Sequence, residues 1–296
     1  MKHIAGIDIG TNTLLLLIAT QLDNGSLIIQ KDEHRIARLG EGLQKTAMIS
    51  EVAISRACTI LKEYAAILSS FPTIDVRAVA TSAMRDAHNS TQVLSTLMQS
   101  IGYPIEVISG TEEAALTFLG SREMYGNPVV IDIGGGSTEI IQLVDNEEYC
   151  QSFNIGAVRL KENVLQSMPM SLHGIHQAKQ YVKSIFEHCK VPRDSTIIVT
   201  AGTPTTLAAM DLALNDLSSP LIHGHVLSLS VISKYVQQLL HSTLEEIMTI
   251  PGVHPQRADI LPAGSLILES ILEVLQIDSC IVSKKGLRYG LIMSLL

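Results

Sequence analysis

Short apolar runs alternate along this chain with longer segments in which apolar residues recur every three or four positions. The short runs predict buried strands, and the periodic segments predict amphipathic helices. Strands are predicted at residues 4–9, 14–18, 27–29, 33–39, 75–80, 104–108, 130–133, 140–141, 149–155, 195–200 and 277–283. Helices are predicted at residues 50–70, 89–101, 158–166, 172–188, 204–214, 228–240 and 263–275, and from residues 110 and 286 onward. Groups of strands followed by alternating helices and strands predict an α/β protein with mixed sheets.

Two of the predicted strands end in the same kind of turn, about half a chain length apart. The first turn follows Asp8 and consists of Gly10, Thr11, Asn12 and Thr13. The second follows Asp132, precedes Glu139, and consists of Gly134, Gly135, Gly136, Ser137 and Thr138. Because a chance repeat at this spacing is improbable, the two turns predict a duplicated domain.

The duplication places residues 1–124 in the first domain and residues 125–296 in the second. The boundary is expected at Met124-Tyr125-Gly126-Asn127, where no strong helix or strand pattern is present. The terminal helix, from Gly286 onward, can pack back on the first domain.

The composition of both turns suits a phosphate ligand. Glycine allows close approach of the backbone to a ligand, and successive N–H groups can form an anion-binding nest. Asp132 and Glu139 flank the second nest, which suits a divalent metal ion held beside a phosphate. The same residues are also compatible with a glycine-rich hairpin that carries incidental carboxylates. The repetition of the turn favours the ligand-binding interpretation.

A basic residue follows another predicted strand. Arg85 lies just beyond Thr81-Ser82, and its planar guanidinium can bind two phosphate oxygens at once. We therefore expect Arg85 to contact phosphate.

Composition and charge limit the kinds of partner and the compartment that can be expected for this chain. Its 296 residues include 46% hydrophobic and 17% charged residues, as in an ordinary folded protein. The formal charge of −8 argues against a nucleic-acid partner, so a polyanionic substrate must meet local positive charge or metal. No apolar run reaches the ~18 residues of a membrane-spanning helix. The four cysteines lack Cys-x-x-Cys spacing, which predicts reduced thiols in a cytoplasmic protein.

With these features in view, the chain resembles the exopolyphosphatase and guanosine pentaphosphate phosphohydrolase family, in its short two-domain form. The resemblance covers nearly the whole sequence. Besides the two Asp-Ile-Gly turns, it is carried by 38–43 (Arg-Leu-Gly-Glu-Gly-Leu), 80–87 (Ala-Thr-Ser-Ala-Met-Arg-Asp-Ala), 109–114 (Ser-Gly-Thr-Glu-Glu-Ala), 154–160 (Asn-Ile-Gly-Ala-Val-Arg-Leu), 201–203 (Ala-Gly-Thr), 223–224 (His-Gly) and 257–264 (Arg-Ala-Asp-Ile-Leu-Pro-Ala-Gly). One departure is Tyr289, which stands where the family pattern has Glu.

The resemblance implies two ribonuclease-H-like domains with mixed five-stranded sheets, the superfold of actin, Hsp70 and the sugar kinases, with the active site in the interdomain cleft. It implies hydrolysis of inorganic polyphosphate or guanosine pentaphosphate, with Mg²⁺ as cofactor. Glu113 matches the general base of the family, and Asp132 and Glu139 match its catalytic carboxylates. Asp8, Asp132 and Glu139 are the expected metal ligands. A homodimer is also implied.

Several alternatives stay open at the level of sequence. Without the resemblance, Glu112 and Glu113 are equivalent candidates for the base, since acids are favoured in any first helical turn. The choice between polyphosphate and guanosine pentaphosphate is undetermined. A kinase of the same superfold, or a nucleotide-binding scaffold of the actin or Hsp70 type, would carry similar turns.

Overall fold

The computed structural model describes residues 2–122, 128–144, 147–192 and 195–296. The chain divides into two compact units. The first unit comprises Met1–Gly120 and Gly286–Leu296, and the second comprises Ser121–Lys285. The boundary expected at residues 124–127 lies outside the described residues.

The first unit contains a five-stranded sheet and six helices among its described residues. The strands are β1 (Lys2–Ile9), β2 (Thr13–Gln21), β3 (Leu27–Ile36), β4 (Ile74–Ala80) and β5 (Ile105–Val107). The helices are α1 (Leu43–Thr46), α2 (Glu51–Leu68), α3 (Ser82–Asp86), α4 (Ser90–Ile101), α5 (Gly110–Ser121) and, from the end of the chain, α12 (Leu287–Met293). Helix α5 extends one residue past the boundary of the unit.

The sheet of the first unit has the strand order β3-β2-β1-β4-β5. Strands β1, β2 and β3 pair antiparallel, whereas β4 pairs parallel with both β1 and β5. Alternate residues of β1 face opposite sides of the sheet. Ala5 and Ile7 pack in the core formed with α2 and α4, whereas Ile4 packs with Ile292 of α12 on the other side. Residue 8 therefore faces the same side as Ile4.

The second unit contains a six-stranded sheet. Its strands are β6 (Pro128–Ile133), β7 (Thr138–Val144), β8 (Glu147–Phe153), β9 (Thr196–Thr200), β10 (Val226–Ser228) and β11 (Ser279–Val282). Its helices are α6 (Ala157–Asn163), α7 (Leu172–Phe186), α8 (Gly202–Asp211), α9 (Leu229–His241), α10 (Leu244–Met248) and α11 (Leu261–Leu275), with short 3₁₀ turns at Pro220–Ile222 and Pro255–Arg257.

The strand order of the second unit is β10-β11-β9-β6-β7-β8. Strands β6, β7 and β8 form an antiparallel meander, and β9 pairs parallel with β6 and β11. Apart from the extra edge strand β10, this repeats the topology of the first sheet. The α/β architecture with two mixed sheets flanked by helices is confirmed, and one sheet has six strands rather than the predicted five.

Some predicted elements differ from those observed. The two strands predicted at residues 27–29 and 33–39 are one strand, β3, which ends at Ile36. It pairs with β2 on both sides of a register shift between Ile18 and Ala19. The polar residues 30–32 interrupt the apolar pattern because β3 is an edge strand, on which polar side chains remain exposed to water. The short elements α1, α3, α10 and β10 were not predicted. Along the described residues, no helix is both long and apolar enough to cross a membrane.

Candidate active site

The two glycine-containing turns close in the same way. In the first unit, the Gly10 N–H donates to the Thr13 carbonyl at 3.0 Å. In the second unit, the Gly134 N–H donates to the Ser137 carbonyl, also at 3.0 Å. Each turn connects two antiparallel strands, β1 with β2 and β6 with β7. The repetition that the sequence predicted is thus present in the backbone.

A later segment of the chain supports the first turn from behind. The Gly40 N–H donates to the Thr11 carbonyl at 2.8 Å, and residues 37 and 38 both donate to the Asn12 carbonyl, at 3.0 and 2.9 Å. In a trans peptide the C=O and the following N–H point in opposite directions. The N–H groups of Asn12 and Thr13 therefore point away from this segment.

The second turn is supported in the same manner by the start of α6. The carbonyl of Gly134 accepts from residue 157 at 2.9 Å, and that of Gly135 accepts from residue 158 at 2.8 Å. The Gly136 carbonyl accepts from the Arg159 Nε at 2.8 Å. Since all three carbonyls face α6, the N–H groups of residues 135–137 point the opposite way. This is the arrangement of an anion-binding nest.

Gly156 makes the support of the second turn sterically possible. A Cβ on residue 156 would lie 2.5 to 2.6 Å from backbone atoms of Gly135 and Gly136. Side-chain carbons do not approach backbone atoms so closely, so this position requires glycine. The Asn-Ile-Gly-Ala-Val-Arg-Leu motif therefore builds the second turn.

The side chains of the second turn have different roles. The Thr138 hydroxyl donates to the Ile155 carbonyl at 2.6 Å, and the residue is fully buried. Thr138 was predicted to bind phosphate, but this contact makes its hydroxyl part of the turn's own structure. Ser137 is also buried, at 3% exposure. The N–H groups of residues 135–137 are therefore the best candidates for phosphate donors.

Two predicted carboxylates lie opposite each other on neighbouring strands of the second unit. Asp132 of β6 is the register partner of Glu139 of β7. Directly opposite residues in an antiparallel pair share one face of the sheet, with Cβ atoms about 5 Å apart. Their face is opposite to that of Ile131 and Ile133, which pack in the core of the unit. Asp132 is half-buried, and Glu139 is 1% exposed.

This pair of carboxylates fits a divalent metal ion. Two like charges opposite each other repel, and a bound cation removes the repulsion. Hard cations such as Mg²⁺ use one or two protein carboxylates together with phosphate oxygens and water. Within the described ranges, no group of three or more His, Cys, Asp and Glu side chains forms a metal site. Two opposite carboxylates are compatible with a metal ion whose other ligands are substrate oxygens and water.

In the first unit, Glu113 is a largely buried carboxylate that forms an ion pair with Arg85. It lies in the first turn of α5 with 12% of its side chain exposed, and its Oε2 is 2.8 Å from Nη1 of Arg85. The same Nη1 donates to the Ile108 carbonyl at 2.9 Å. Burial raises the pKa of Glu113 above its ordinary value of 4.5, although the charge of Arg85 and hydrogen bonds from Arg85 and Thr81 oppose the rise.

Glu112 has a different environment from its neighbour. Its side chain is 45% exposed, and its Oε1 accepts from Arg77 Nη2 at 2.8 Å. The Ser109 hydroxyl accepts from the Glu112 N–H at 3.1 Å, which makes Ser109 the cap of α5. Burial and the ion pair with Arg85 thus distinguish Glu113 from Glu112, as expected of a catalytic group.

Asp8 lies at the carboxyl end of β1, on the face of the sheet covered by α5 and α12. Its register partners are Leu15 of β2 and Val79 of β4. Val79 packs against Leu116 of α5, the helix whose first turn contains Glu113. Asp8 is half-buried.

Two arginines of the second unit that the sequence did not single out contact backbone near the ends of its strands. Arg159 contacts the Gly136 carbonyl through its side chain, as described above. Arg257 lies against Gly202, where an added Cβ would overlap the guanidinium. Burial lowers the pKa of Arg257 to about 10.

The backbone just before Gly202 is strained. Ala201 has φ of 78° and ψ of −166°, a conformation that costs a non-glycine residue about 1–3 kcal/mol.

The two sheets have the same topology, and each has a turn whose N–H groups point outward. These features define a protein of the two-domain actin and Hsp70 superfold with two turns that can bind phosphate. Comparison with known sequences gives the family. The sequence profile described as the Ppx/GppA phosphatase family matches residues 18–296, and the chain belongs to this family.

Individual relatives agree with this assignment. Exopolyphosphatase 2 of Mycobacterium tuberculosis is 33% identical over 315 aligned positions, which cover 100% of this chain and 99% of that protein. A guanosine-5'-triphosphate,3'-diphosphate pyrophosphatase of Vibrio parahaemolyticus is 31% identical, covering 97% of this chain and 58% of that protein. The crystal structure of the Aquifex aeolicus Ppx/GppA family member superposes with a TM-score of 0.84 at 31% identity, covering 99% of this chain and 97% of that chain.

Proposed function

We propose that this protein hydrolyses phosphoanhydrides and releases terminal orthophosphate from inorganic polyphosphate. The observation that carries the proposal is Glu113, a largely buried carboxylate with a raised pKa beside a guanidinium, at the end of the sheet where Asp8 also lies. A carboxylate in this state is suited to accept a proton from water.

In the proposed reaction, Glu113 removes a proton from a water molecule that attacks the terminal phosphorus in line. A new P–O bond forms, the bridging P–O bond breaks, and the leaving phosphate oxygen keeps the bonding electrons. Such a reaction depends on positioning and on neutralising charge, because the protein contributes little covalent chemistry. Arg85 is close enough to Glu113 to meet a phosphate oxygen next to the attacking water.

The outward N–H groups of residues 12, 13 and 135–137 are proposed to bind phosphate oxygens of the substrate. Asp132 and Glu139 would hold Mg²⁺. The ion supplies charge neutralisation on the phosphates. The protein's own part is to hold these groups rigidly, and the backbone contacts behind both turns serve that purpose.

The relatives favour polyphosphate over guanosine pentaphosphate. The relative named as an exopolyphosphatase matches along 99% of its own length, whereas the relative named for the guanosine substrate matches along 58%. This chain aligns with only part of the second protein, so the substrate of that protein is a weaker guide. Guanosine pentaphosphate is therefore the second substrate to test.

The test is a phosphate-release assay with polyphosphate, guanosine pentaphosphate and ATP in parallel, with and without Mg²⁺. Replacing Glu113 by Gln should lower kcat at least about 100-fold, the usual range for losing a general base. The matched control, Glu112→Gln, should stay within about twofold of the wild type, because Glu112 is exposed and paired with Arg77. Circular dichroism checks that both variants fold.

The pH profile of the wild type adds an independent reading. The base must be ionised to act, and its pKa is raised above 4.5. The rate should therefore fall on the acidic side with a midpoint above that value, and Glu113→Gln should lack this limb. Undiminished turnover by Glu113→Gln would exclude Glu113 as the base. Release of phosphate from ATP alone would exclude the proposed substrates.

A further inference from the structure

Glu139 has a second neighbour in the sheet besides Asp132. Strand β7 lies between β6 and β8, and Glu139 is the register partner of Ser152 on β8. Asp132, Glu139 and Ser152 thus form a row across three strands on one face of the sheet. The Ser152 hydroxyl donates to Glu139 Oε1 at 2.8 Å.

Because Glu139 is buried, this hydrogen bond has a large effect on the orientation of its carboxylate. Its side chain is 1% exposed, so water cannot solvate the carboxylate freely. A hydrogen bond to a charged group is stronger than a hydrogen bond between neutral groups. Glutamate has three side-chain torsions, and an anchored Oε1 fixes the direction of the other oxygen. Ser152 itself lies at the exposed edge of the sheet.

We propose that Ser152 is a positioning residue, whose hydroxyl holds the Glu139 carboxylate in the orientation that binds the divalent metal ion. This inference rests on the proposed function, in which Asp132 and Glu139 hold the metal. Partners that orient metal ligands are worth about 10- to 100-fold in metal affinity. Ser152 does not touch substrate or metal and acts only through Glu139.

The sharpest test compares Ser152→Thr with Ser152→Val. The two side chains have nearly the same shape and both favour strands, so they differ mainly in the hydroxyl. Mn²⁺ serves as the probe, with its binding measured by electron paramagnetic resonance without substrate. Ser152→Val should bind Mn²⁺ about tenfold more weakly than the wild type, and Ser152→Thr should stay within about threefold. Glu139→Gln provides the reference for loss of the carboxylate.

Phosphate release gives the second measurement. The metal concentration for half-maximal rate should rise about tenfold for Ser152→Val, while KM for polyphosphate at saturating metal stays unchanged. Because Ser152 is exposed, thermal unfolding without metal should be nearly the same for both variants. A merely structural serine would alter unfolding and leave the metal requirement unchanged.

The outcomes separate this inference from the proposed function. Wild-type Mn²⁺ affinity in Ser152→Val, or equal weakening in Ser152→Thr, would overturn the role of Ser152. A wild-type protein that releases phosphate but binds no Mn²⁺ would also overturn it. A wild-type protein that releases no phosphate, with the Thr and Val contrast in Mn²⁺ binding intact, would refute the activity and leave the positioning role standing.

Discussion

At the scale of single residues, the second turn depends on a glycine outside the turn itself. Gly156 has φ of −149°, which any residue can adopt, so its requirement is one of space and not of conformation. The missing side chain lets α6 approach the turn closely enough for its N–H groups to reach the glycine carbonyls. The orientation of the proposed phosphate donors follows from that approach.

Gly156→Ala should therefore damage activity more than stability. The added Cβ would push α6 and the turn apart, since both nearby groups are backbone and cannot rotate away. We expect kcat/KM for phosphate release to fall at least about tenfold, because misplaced donors lose their contact with the transition state. The matched control is Gly174→Ala in α7, where a Cβ would meet only side-chain atoms at 3.2 and 3.3 Å. Similar rates for both variants would contradict the steric argument.

Residue-level predictions from sequence succeeded where the residue type fixes the backbone. Glycine and Asp at the strand ends marked both turns, because few other sequences form them. Sequence did not reveal that the Thr138 hydroxyl is used internally, or that Arg85 pairs with Glu113. Those contacts join residues that are distant along the chain, and only the fold brings them together. The distinction between Glu112 and Glu113 likewise depends on burial, which their identical side chains cannot show.

At the scale of elements, α12 is attached to the first sheet by a partly buried ion pair. Arg288 is 5% exposed and donates through Nε and Nη2 to the two carboxylate oxygens of Asp32 on β3, at 2.8 and 3.0 Å. Burial alone would raise the pKa of Asp32, but hydrogen bonds from His34 and Arg288 and the charge of Arg288 outweigh it and lower the pKa below its usual 3.8. The guanidinium carbon Cζ of Arg288 lies 5.0 Å from the centroid of the Tyr289 ring. Tyr289 is the residue that departs from the family pattern.

Asp32→Asn should lower the free energy of unfolding by about 2 kcal/mol at neutral pH, the worth of charged hydrogen bonds in a partly buried site. Since the native pKa is lowered, the stabilisation is complete above the unfolded value near 3.8 and is lost as pH falls further. Urea unfolding from about pH 7 to about pH 3 measures this. Asp75→Asn, which breaks the exposed pair with Lys2, should cost less than about 1 kcal/mol. Equal costs for both variants would show that partial burial of the Asp32–Arg288 pair adds nothing to its stabilising effect.

Prediction of elements was most successful for long periodic segments and least for short ones. The helices α2, α4, α7, α9 and α11 were found because an apolar stripe must face the core. The five-residue helix α10 has too few residues for a stripe, although its capping box of Thr243 and Glu246 was a usable signal. Strand β10 has three residues, and its place at the sheet edge depends on β11, far away in sequence.

At the scale of the whole molecule, the two units differ in the number of chain segments that form them. The second unit is one continuous segment with its own core. The first unit is completed by residues 286–296, whose helix α12 buries Leu287, Leu291 and Ile292 to 6% exposure or less. Burying three such side chains contributes about 5–8 kcal/mol, comparable to the total stability of a domain.

A fragment of residues 121–285 should therefore fold alone, with a cooperative urea transition, whereas residues 1–120 should not. Gly120 packs against Gly286, so a short linker can join them directly. Residues 1–120 joined in this way to 286–296 should regain cooperative unfolding, measured by circular dichroism. Cooperative folding of residues 1–120 without α12 would show that the helix is dispensable.

The return of α12 also has a consequence for biosynthesis. A ribosome releases residues 1–120 long before residues 286–296, and the whole second unit emerges between them. Until then the side of the first sheet that contains Ile4 and Leu17 has no helix α12 to cover it. The nascent first unit therefore cannot complete its fold until residues 286–296 are synthesised, and it meanwhile exposes an apolar surface to which chaperones can bind. The second unit, although synthesised later, can already be native at that stage.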